Sequence, residues 1–214
     1  MINVLAFFGA FNPPTAAHLE LADFAFRQTG REGVVFVPSR AAYIRDSQKK
    51  DAVFSNLQRL NMLETLAEGR PWMRICAWEL DQAEQPRSYV TLCHLREEGY
   101  APSMLVGSDK LPELASKWMF VREIAREFGI VCLTRGKDSC REIIRNDPFL
   151  SSISGSITVL ETPGGLRDIS SSAVRETLRE LRKLENELAR MLPPEIISLV
   201  KNSAITEGEN ANEV

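Results

Sequence analysis

Short apolar segments of strand length alternate with longer amphipathic segments along most of the chain, and this order constrains the fold more than any other feature. The predicted strands are Ile2 to Phe8, Val34 to Val37, Met73 to Ala77, Met104 to Val106, Ile130 to Leu133 and Ile157 to Leu160. Helical patterns separate most of them, most clearly over Thr15 to Gln28 and Asn56 to Glu68. Repeated strand-helix order predicts a parallel sheet that binds ligands at the carboxyl ends of its strands.

Length and charge are those of one globular domain of the α/β class. The chain has 214 residues, 44% of them hydrophobic, which is enough to bury one core. We predict a single Rossmann-like domain over residues 1–202, a doubly wound parallel sheet with helices on both faces, and a flexible acidic tail over 203–214. Lys and Arg number 26 against 29 Asp and Glu, a balance that does not suit a general nucleic-acid or membrane binder.

The cysteines and the first residues of the chain favour the cytoplasm. The four cysteines show no CxxC spacing, and three of them lie in apolar stretches, so we expect buried thiols and not disulfides or zinc ligands. The chain opens directly into an apolar strand without a basic leader, and no apolar run approaches the roughly 20 residues of a membrane span. The expected protein is cytoplasmic, with no membrane partner.

The loop after the first predicted strand has the composition of an anion-binding turn. Gly9 ends the strand without a side chain, so a phosphate could approach the backbone, and two prolines stiffen the turn beyond it. Thr15 and His18 fall in the first turn of the next helix, whose amides and dipole favour an anion. The alternative is that Thr15 only caps the helix and His18 is structural. We expect His94, inside a helical pattern, to be structural.

Two later loops also contain residues that could bind a nucleotide. Gly107-Ser108-Asp109 follows the fourth predicted strand and, as a bare pattern, is also a turn with a helix cap. Ser170-Ser171-Ser172 begins a late helical pattern that includes Arg175, and hydroxyls, amides and a guanidinium all bind phosphate oxygens. The alternative for this last segment is an ordinary serine-capped helix with an exposed arginine.

Taken in order, these segments resemble the signatures of the HxGH/TxxH nucleotidyltransferases, particularly the nicotinamide and nicotinate mononucleotide adenylyltransferases. The run from Gly9 to His18 resembles the first signature, with Thr15 in the place of the first histidine and Ala10 where a second glycine is common. The segment from Ser170 to Arg175 resembles the ISSTxIR signature.

The middle of the chain continues the resemblance. The run from Met104 to Leu111, followed by Trp118, resembles the GAD-x-L…W segment of that family. Val35 to Arg45 resembles its second strand and following loop, and Trp78 to Leu92 resembles the segments that line its pyridine pocket. The resemblance extends from about Asn3 to Lys201.

The resemblance implies where each substrate binds. For ATP it implies Gly9, Phe11, Thr15, His18, Gly107, Asp109, Arg135, Ser171, Ser172 and Arg175. His18 and Arg175 would be catalytic through contact with the phosphates, and Asp109 would accept the ribose hydroxyls. For the mononucleotide it implies Ala10, Arg45, Trp78, Thr91 and Trp118. The two indoles would stack on the pyridine ring; the alternative for Trp78 is a core position, and for Arg45 a solvated loop arginine.

The activity that the resemblance implies is transfer of AMP from ATP to nicotinamide or nicotinate mononucleotide, with release of pyrophosphate. We expect Mg²⁺ as cofactor, held mainly by substrate phosphates and water, with no dedicated metal ligands in the protein. The remaining partners are the two nucleotides, no nucleic acid and a possible second copy of the chain. Preference between the acid and the amide is left open, with a lean towards the amide-using or dual-specificity branch.

Two other functions fit part of the pattern. Pantetheine-phosphate adenylyltransferase has a similar first signature and a related serine-rich late one, but its chains are typically shorter and the two tryptophans favour a pyridine. A nucleotide-sensing module that has lost catalysis would accommodate Ala10 and Arg45. It would not require His18, Asp109 and the serine-rich group together.

Overall fold

The protein is described by a computed structural model, which covers residues 1–49, 54–134, 139–162, 173–176 and 184–210. Within them, the strands are β1 (Ile2–Gly9), β2 (Gly33–Pro38), β3 (Met73–Ile75), β4 (Tyr100–Gly107), β5 (Ile130–Leu133) and β6 (Ile157–Leu160). They form one sheet in the order β3-β2-β1-β4-β5-β6, and every neighbouring pair is parallel. This confirms the predicted doubly wound parallel sheet.

Helices connect the strands. They are α1 (Ala16–Thr29), α2 (Ala41–Asp46), α3 (Asn56–Glu68), α4 (Ser88–Glu97), α5 (Leu111–Ser116), α6 (Val121–Glu127), α7 (Cys140–Asn146), α8 (Pro148–Ser152), α9 (Leu184–Met191) and α10 (Ile197–Asn210). Single 3₁₀ turns span Trp78–Asp81, Ser108–Lys110, Ser154–Ser156 and Pro194–Ile196, and residues 173–176 are helical. In the described part of the chain, no helix combines the length and apolarity that a membrane span needs.

Local sequence explains where the two best-predicted helices begin. Thr15 caps α1, and Ser55 caps α3, each accepting a bond from the backbone amide three residues on. The side chains of His18 and Gln58 bond back to the amide of the capping residue, which completes a capping box at both ends. Helix α1 ends at Gly30, whose φ of 60° is in the left-handed region that glycine adopts without strain.

The core lies on both faces of the sheet, because successive residues of a strand face opposite sides. Leu5 of β1 belongs to the layer formed with α1, α3 and the C-terminal helices, where Leu63 and Val200 are fully buried. Val4 and Ala6 belong to the opposite layer, formed with α4 to α8. Each large apolar side chain buried in these layers stabilises the fold by about 1.5–3 kcal/mol.

Two boundaries differ from the sequence prediction by more than two residues. Strand β4 begins at Tyr100, not at Met104, because Pro102 and Ser103 interrupt the apolar run but still pair with β1. The buried Ser103 hydroxyl donates to the carbonyl of Phe128 at 2.7 Å, which satisfies its polar group inside the core. Helix α10 continues to Asn210, so the tail predicted from residue 203 is helical that far.

The connections after β1 and β4 leave the sheet on opposite sides. Helix α1 follows β1 and packs into the layer of Leu5, whereas α5 follows β4 and packs into the layer of Val4. Neighbouring strands whose connections diverge open a crevice at their carboxyl ends, which is where this class of sheet binds ligands. That crevice lies between Gly9 and Gly107.

Candidate active site

Two adjoining cavities open at this edge of the sheet. The first, which we name the His18 cavity, is lined by residues that include Gly9, Thr15, His18, Gly107, Asp109 and Lys110. The second, the Glu79 cavity, is lined by residues that include Ala10, Ser39, Tyr43, Glu79, Gln85 and Lys117. Phe8, Gly9 and Trp118 line both. Two ligands bound in these cavities would therefore lie next to each other at these three shared residues.

His18 is held in one orientation by the start of α1. The backbone N–H of Thr15 donates to His18 Nδ1 at 3.0 Å, and the Thr15 hydroxyl lies 2.7 Å from the same nitrogen. A backbone amide can only donate, so Nδ1 is an acceptor and the neutral ring carries its proton on Nε2. The ring also meets Phe11 edge to face, with centroids 5.2 Å apart. His18 is thus a fixed donor on the cavity wall, suited to an anionic oxygen.

The Gly9 turn is shaped by Phe11 as well as by the cavity. A β-carbon added at Gly9 would lie 2.9 Å from Phe11 Cζ, closer than real contacts permit. Phe11 itself has a positive φ of 43° and is 1% exposed, packed against Phe7 and Phe36. Its side chain therefore belongs to the core, and the ATP contact of this residue stays a prediction. Gly9 is needed for this close packing in addition to lining both cavities.

Arg59 is a site residue that the sequence prediction missed. It is fully buried in α3, and its guanidinium donates to the carbonyls of Ala10 (2.7 Å) and Phe54 (3.2 Å) and to Asn56 Oδ1 (2.8 Å). Burial lowers its pKa to about 10, so it remains charged at neutral pH. The sequence signal that could have identified Arg59 is its position among the apolar residues that form one face of α3.

That stripe comprises Arg59, Met62, Leu63 and Leu66, which are spaced as one helix face and are all buried. A charged residue on an otherwise apolar stripe indicates a buried polar partner. Here the partner is the first loop, since Asn12 Oδ1 also accepts a bond from the amide of Phe54 at 2.8 Å. The start of α3 and the loop after β1 are therefore locked together.

Asp109 and Gly107 lie on the opposite side of the crevice from the first loop. Gly107 ends β4, and Asp109 lies in the 3₁₀ turn that follows. Lys110 Nζ is 3.9 Å from Asp109 Oδ2 and 3.3 Å from Glu113 Oε1. Both Asp109 and Lys110 line the His18 cavity, so one wall offers an acceptor and a cation to a single ligand.

Glu79, and not Thr91, presents a polar group to the second cavity. Thr91 is fully buried, and its hydroxyl donates to Glu79 Oε1 at 2.6 Å. Gln85 Nε2 donates to the other carboxylate oxygen, Glu79 Oε2. Burial raises the pKa of Glu79 to about 7, although both hydrogen bonds favour the ionised form. The contact between Thr91 and the mononucleotide stays a prediction, and the hydrogen bond described for the Thr91 hydroxyl is the one to Glu79.

The two tryptophans predicted to form one aromatic slot are used differently. Trp118 lines both cavities. Trp78 stacks on His94, with ring centroids 4.4 Å apart and an interplanar angle of 18°. Trp78 is not among the described residues that line the two cavities, and its place beside the pyridine ring stays a prediction. No sequence signal distinguishes Trp78 from Glu79, its neighbour in the same turn.

The two arginines predicted to bind phosphate lie off the described cavity walls. Arg45 is exposed near the end of α2. Arg175 Nη1 donates to the carbonyl of Asn12 at 2.8 Å, so the helical residues 173–176 contact the first loop. Arg135, Ser171 and Ser172 lie outside the described residues.

A metal cage is not formed by the side chains described. No group of three or more His, Cys, Asp or Glu among them could hold a metal ion. The His18 cavity nevertheless has one carboxylate, Asp109, beside the place where phosphates would bind. One carboxylate together with phosphate oxygens and water is a common environment for Mg²⁺. The donor set therefore fits an ion that arrives with its nucleotide.

Comparison with known proteins finds relatives whose names describe the same kind of adenylyltransferase. The chain is 26% identical over 195 residues to the nicotinamide/nicotinic acid mononucleotide adenylyltransferase of Oryza sativa subsp. japonica, a match that covers 84% of this chain and 77% of the relative. It is 23% identical over 204 residues to the probable nicotinate-nucleotide adenylyltransferase of Caldicellulosiruptor bescii, covering 95% and 98% of the two chains.

The fold has solved counterparts, and a family model spans most of the sequence. The Plasmodium falciparum nicotinic acid mononucleotide adenylyltransferase complexed with NaAD superposes with a TM-score of 0.73 at 19% identity, covering 94% of this chain and 96% of the other. Likeness at this identity establishes a shared fold. The cytidylyltransferase-like family model matches residues 6–177, so the chain belongs to the cytidylyltransferase-like family.

Proposed function

We propose that this protein transfers AMP from ATP to nicotinamide or nicotinate mononucleotide, releasing pyrophosphate and forming NAD or its nicotinate analogue. The observation that carries the proposal is the wall shared by two cavities, one with phosphate- and ribose-binding groups and the other with room for an acceptor beside Trp118. The names of the relatives from Oryza sativa and Caldicellulosiruptor bescii agree with this reaction.

The reaction needs positioning more than it needs a catalytic base. A phosphate oxygen of the mononucleotide attacks the α-phosphorus of ATP in line, a new P–O bond forms, and the bond to pyrophosphate breaks. With a second pKa of about 6, the attacking phosphate is mostly dianionic near neutral pH. Repulsion between the two anionic substrates is the main obstacle, so fixed donors and cations reduce the barrier.

The His18 cavity supplies those groups for ATP. His18 Nε2–H and the amides at the start of α1 would bind phosphate oxygens, and Lys110 would add a positive charge on the facing wall. Asp109 would accept hydroxyls of the ribose. Mg²⁺ bound to the phosphates would neutralise further charge there. Arg175 would act indirectly, because its bond to the Asn12 carbonyl supports the loop that positions His18.

The Glu79 cavity would hold the mononucleotide. Trp118 offers an indole face to a pyridinium ring, for which stacking and cation–π attraction both apply. Lys117 and Arg87 line the same cavity and would offer positive charge to the acceptor phosphate. Because Trp118 and Gly9 belong to both walls, the attacking phosphate and the α-phosphate of ATP would be brought together there.

A cytoplasmic location is part of the proposal. Cys76, Cys93, Cys132 and Cys140 are all free thiols. Cys132 Sγ and Cys140 Sγ are 3.3 Å apart and share a thiol hydrogen bond, an arrangement that suits a reducing compartment.

The proposal is tested by supplying ATP and Mg²⁺ with one acceptor at a time and measuring pyrophosphate release and dinucleotide formation. Turnover with either pyridine mononucleotide supports it. Turnover only with phosphopantetheine would identify the related pantetheine-phosphate adenylyltransferase activity. ATP binding without product from any acceptor would instead indicate a nucleotide-sensing module.

Substitution of His18 tests the proposed site. Removing the Nε2 donor by His18→Ala should lower kcat by about 10²–10³-fold, the usual cost of one oxyanion donor. His94→Ala is the matched control, because it removes the other histidine, which stacks on Trp78 away from the cavity walls described. Circular dichroism of both variants separates loss of chemistry from loss of folding, and a folded His18→Ala enzyme with normal turnover would contradict the assignment.

A further inference from the structure

Glu79 is a buried carboxyl on the wall of a cavity that we assign to an anionic substrate. Its side chain is 1% exposed, on the 3₁₀ turn that follows β3. Its atoms nevertheless line the cavity that also contains Trp118. An ionisable group at such a position interacts strongly with a bound ligand, because little water screens it.

The carboxyl is held from behind at both oxygens. The Thr91 hydroxyl donates to Oε1 at 2.6 Å, and Gln85 Nε2 donates to Oε2. Gln85 is itself oriented, because its own carbonyl oxygen accepts the backbone amide of Arg40 at 2.9 Å. Glu79 therefore has little freedom to swing away from a ligand or out to solvent.

Other ionisable groups border the same cavity. Arg87 lies at the start of α4, Lys117 at the end of α5, and Tyr43 on α2. Glu113 of α5 is the other carboxylate on the wall, and it pairs with Lys110 at 3.3 Å. Behind the turn, the charge of Glu79 helps to raise the pKa of Cys76, whose largest cause is burial. Of the two wall carboxylates described, Glu79 is the buried one.

We propose that Glu79 determines the choice between the amide and the acid forms of the mononucleotide, favouring nicotinamide mononucleotide when its carboxyl is ionised. The inference rests on the proposed function, since it concerns the acceptor of that reaction. Both substrates share the pyridinium ring, the ribose and the phosphate, and they differ in one group on the ring. That group is a neutral carboxamide with N–H donors in one substrate and a carboxylate in the other.

The physical basis is charge. An ionised Glu79 would accept an N–H of the carboxamide and would repel a carboxylate in the same place. A protonated Glu79 would lose the repulsion and could donate its O–H to the substrate carboxylate. Burial raises the pKa of Glu79 to about 7, so both forms are populated at neutral pH. Discrimination should therefore strengthen as pH rises through neutrality.

The test compares kcat/KM for the two mononucleotides from pH 6 to pH 8. A carboxyl with a pKa of about 7 is about 90% protonated at pH 6 and about 10% at pH 8, so loss of the protonated form should by itself raise the amide-to-acid ratio about tenfold. Titration of the phosphate is common to both substrates and cancels in the ratio. Binding of the acid at pH 8 should also take up a proton, which calorimetry in two buffers of different ionisation enthalpy measures.

Glu79→Gln removes the charge while keeping the shape. Its amide oxygen can accept from Gln85, and its amide nitrogen can donate to the Thr91 hydroxyl, which is able to reverse its direction. The ratio for this variant should be independent of pH and shifted towards the acid by about tenfold at pH 8. Glu113→Gln is the matched control, since it removes the half-buried carboxylate of the same wall, and its ratio should follow the wild type.

The outcomes separate this inference from the proposed function. If neither mononucleotide is turned over, the proposed function fails. If both are turned over but the wild-type ratio is constant from pH 6 to pH 8, Glu79 does not discriminate between them. A pH-dependent ratio that persists unchanged in Glu79→Gln would also overturn the assignment. The wild-type profile decides the matter even if that variant does not fold.

Discussion

Replacing Arg59 by methionine would remove the charged group that ties α3 to the loop after β1. Methionine keeps an unbranched apolar side chain of similar reach, so the change is mainly the loss of donors. The carbonyls of Ala10 and Phe54 would then lack the guanidinium, whereas Asn56 Oδ1 would keep its bond from the Ala41 amide at 2.8 Å. Because Arg59 is fully buried, water cannot take its place without opening the structure.

The size of the effect follows from these contacts. A buried acceptor left without a partner costs about 1–3 kcal/mol, and partial relaxation reduces the sum for neighbouring groups. We expect a loss of about 3 kcal/mol in the free energy of unfolding, from a total of about 5–15 kcal/mol. For a chain of this length, that corresponds to a fall in Tm of about 6–12 °C.

Urea unfolding followed by circular dichroism measures this loss, and KM for ATP reports on the loop. Release of the Ala10 carbonyl should raise KM for ATP as well as lower stability, since its neighbour Gly9 lines the His18 cavity. Arg27→Met is the control, because Arg27 forms an exposed ion pair with Asp23 that should contribute about 0.5 kcal/mol or less. If Arg59→Met is no less stable than Arg27→Met, the buried clamp does not exist as described.

Two further predictions concern the same walls. Gly9→Ala should destabilise the fold by about 1–3 kcal/mol and reduce turnover, because the added carbon would lie 2.9 Å from the buried Phe11 ring. Gly69→Ala is the control, since a carbon added there meets open space and should cost nothing measurable. Equal denaturation midpoints for the two variants would contradict this prediction. The pKa of Glu79 is raised from 4.5 to about 7, so this carboxyl stabilises the fold most when it is protonated. Its contribution of about 3 kcal/mol to the free energy of unfolding is fully present below about pH 4.5 and is lost as pH rises through 7. The difference in unfolding free energy between wild type and Glu79→Gln should therefore change over this range, and a constant difference would count against the shift.

The alternation of strands and helices could be predicted because it depends on local periodicity. A buried strand in a parallel sheet is a short apolar run, and a surface helix has one apolar stripe, so each is visible without its neighbours. The bounds of α3 and β5 agree with the prediction, as does the cap at Thr15. The edge of the sheet where His18 and Asp109 meet follows from strand order, since the carboxyl ends of β1 and β4 adjoin there.

Which side chain of a turn faces the cavity was decided only by tertiary packing. Trp78 and Glu79 are adjacent in a 3₁₀ turn, where successive side chains diverge by about 120°. The rotation of the turn is set by α4, which stacks His94 on one side chain and bonds Thr91 to the other. Composition favours the tryptophan for a pyridine site, but packing places the carboxyl of Glu79 on the cavity wall.

Arg59 and Phe11 are two further residues whose burial the local sequence did not predict. An arginine is usually exposed to solvent, and a phenylalanine in a glycine turn is a candidate ligand contact. Both Arg59 and Phe11 are instead buried. Each is buried because a segment distant in sequence supplies its surroundings: the first loop offers carbonyls to Arg59, and Phe36 of β2 packs on Phe11. Local pattern determined the elements and the edge where they converge, whereas long-range contacts chose the groups that face a ligand, because burial depends on neighbours that no sequence window contains.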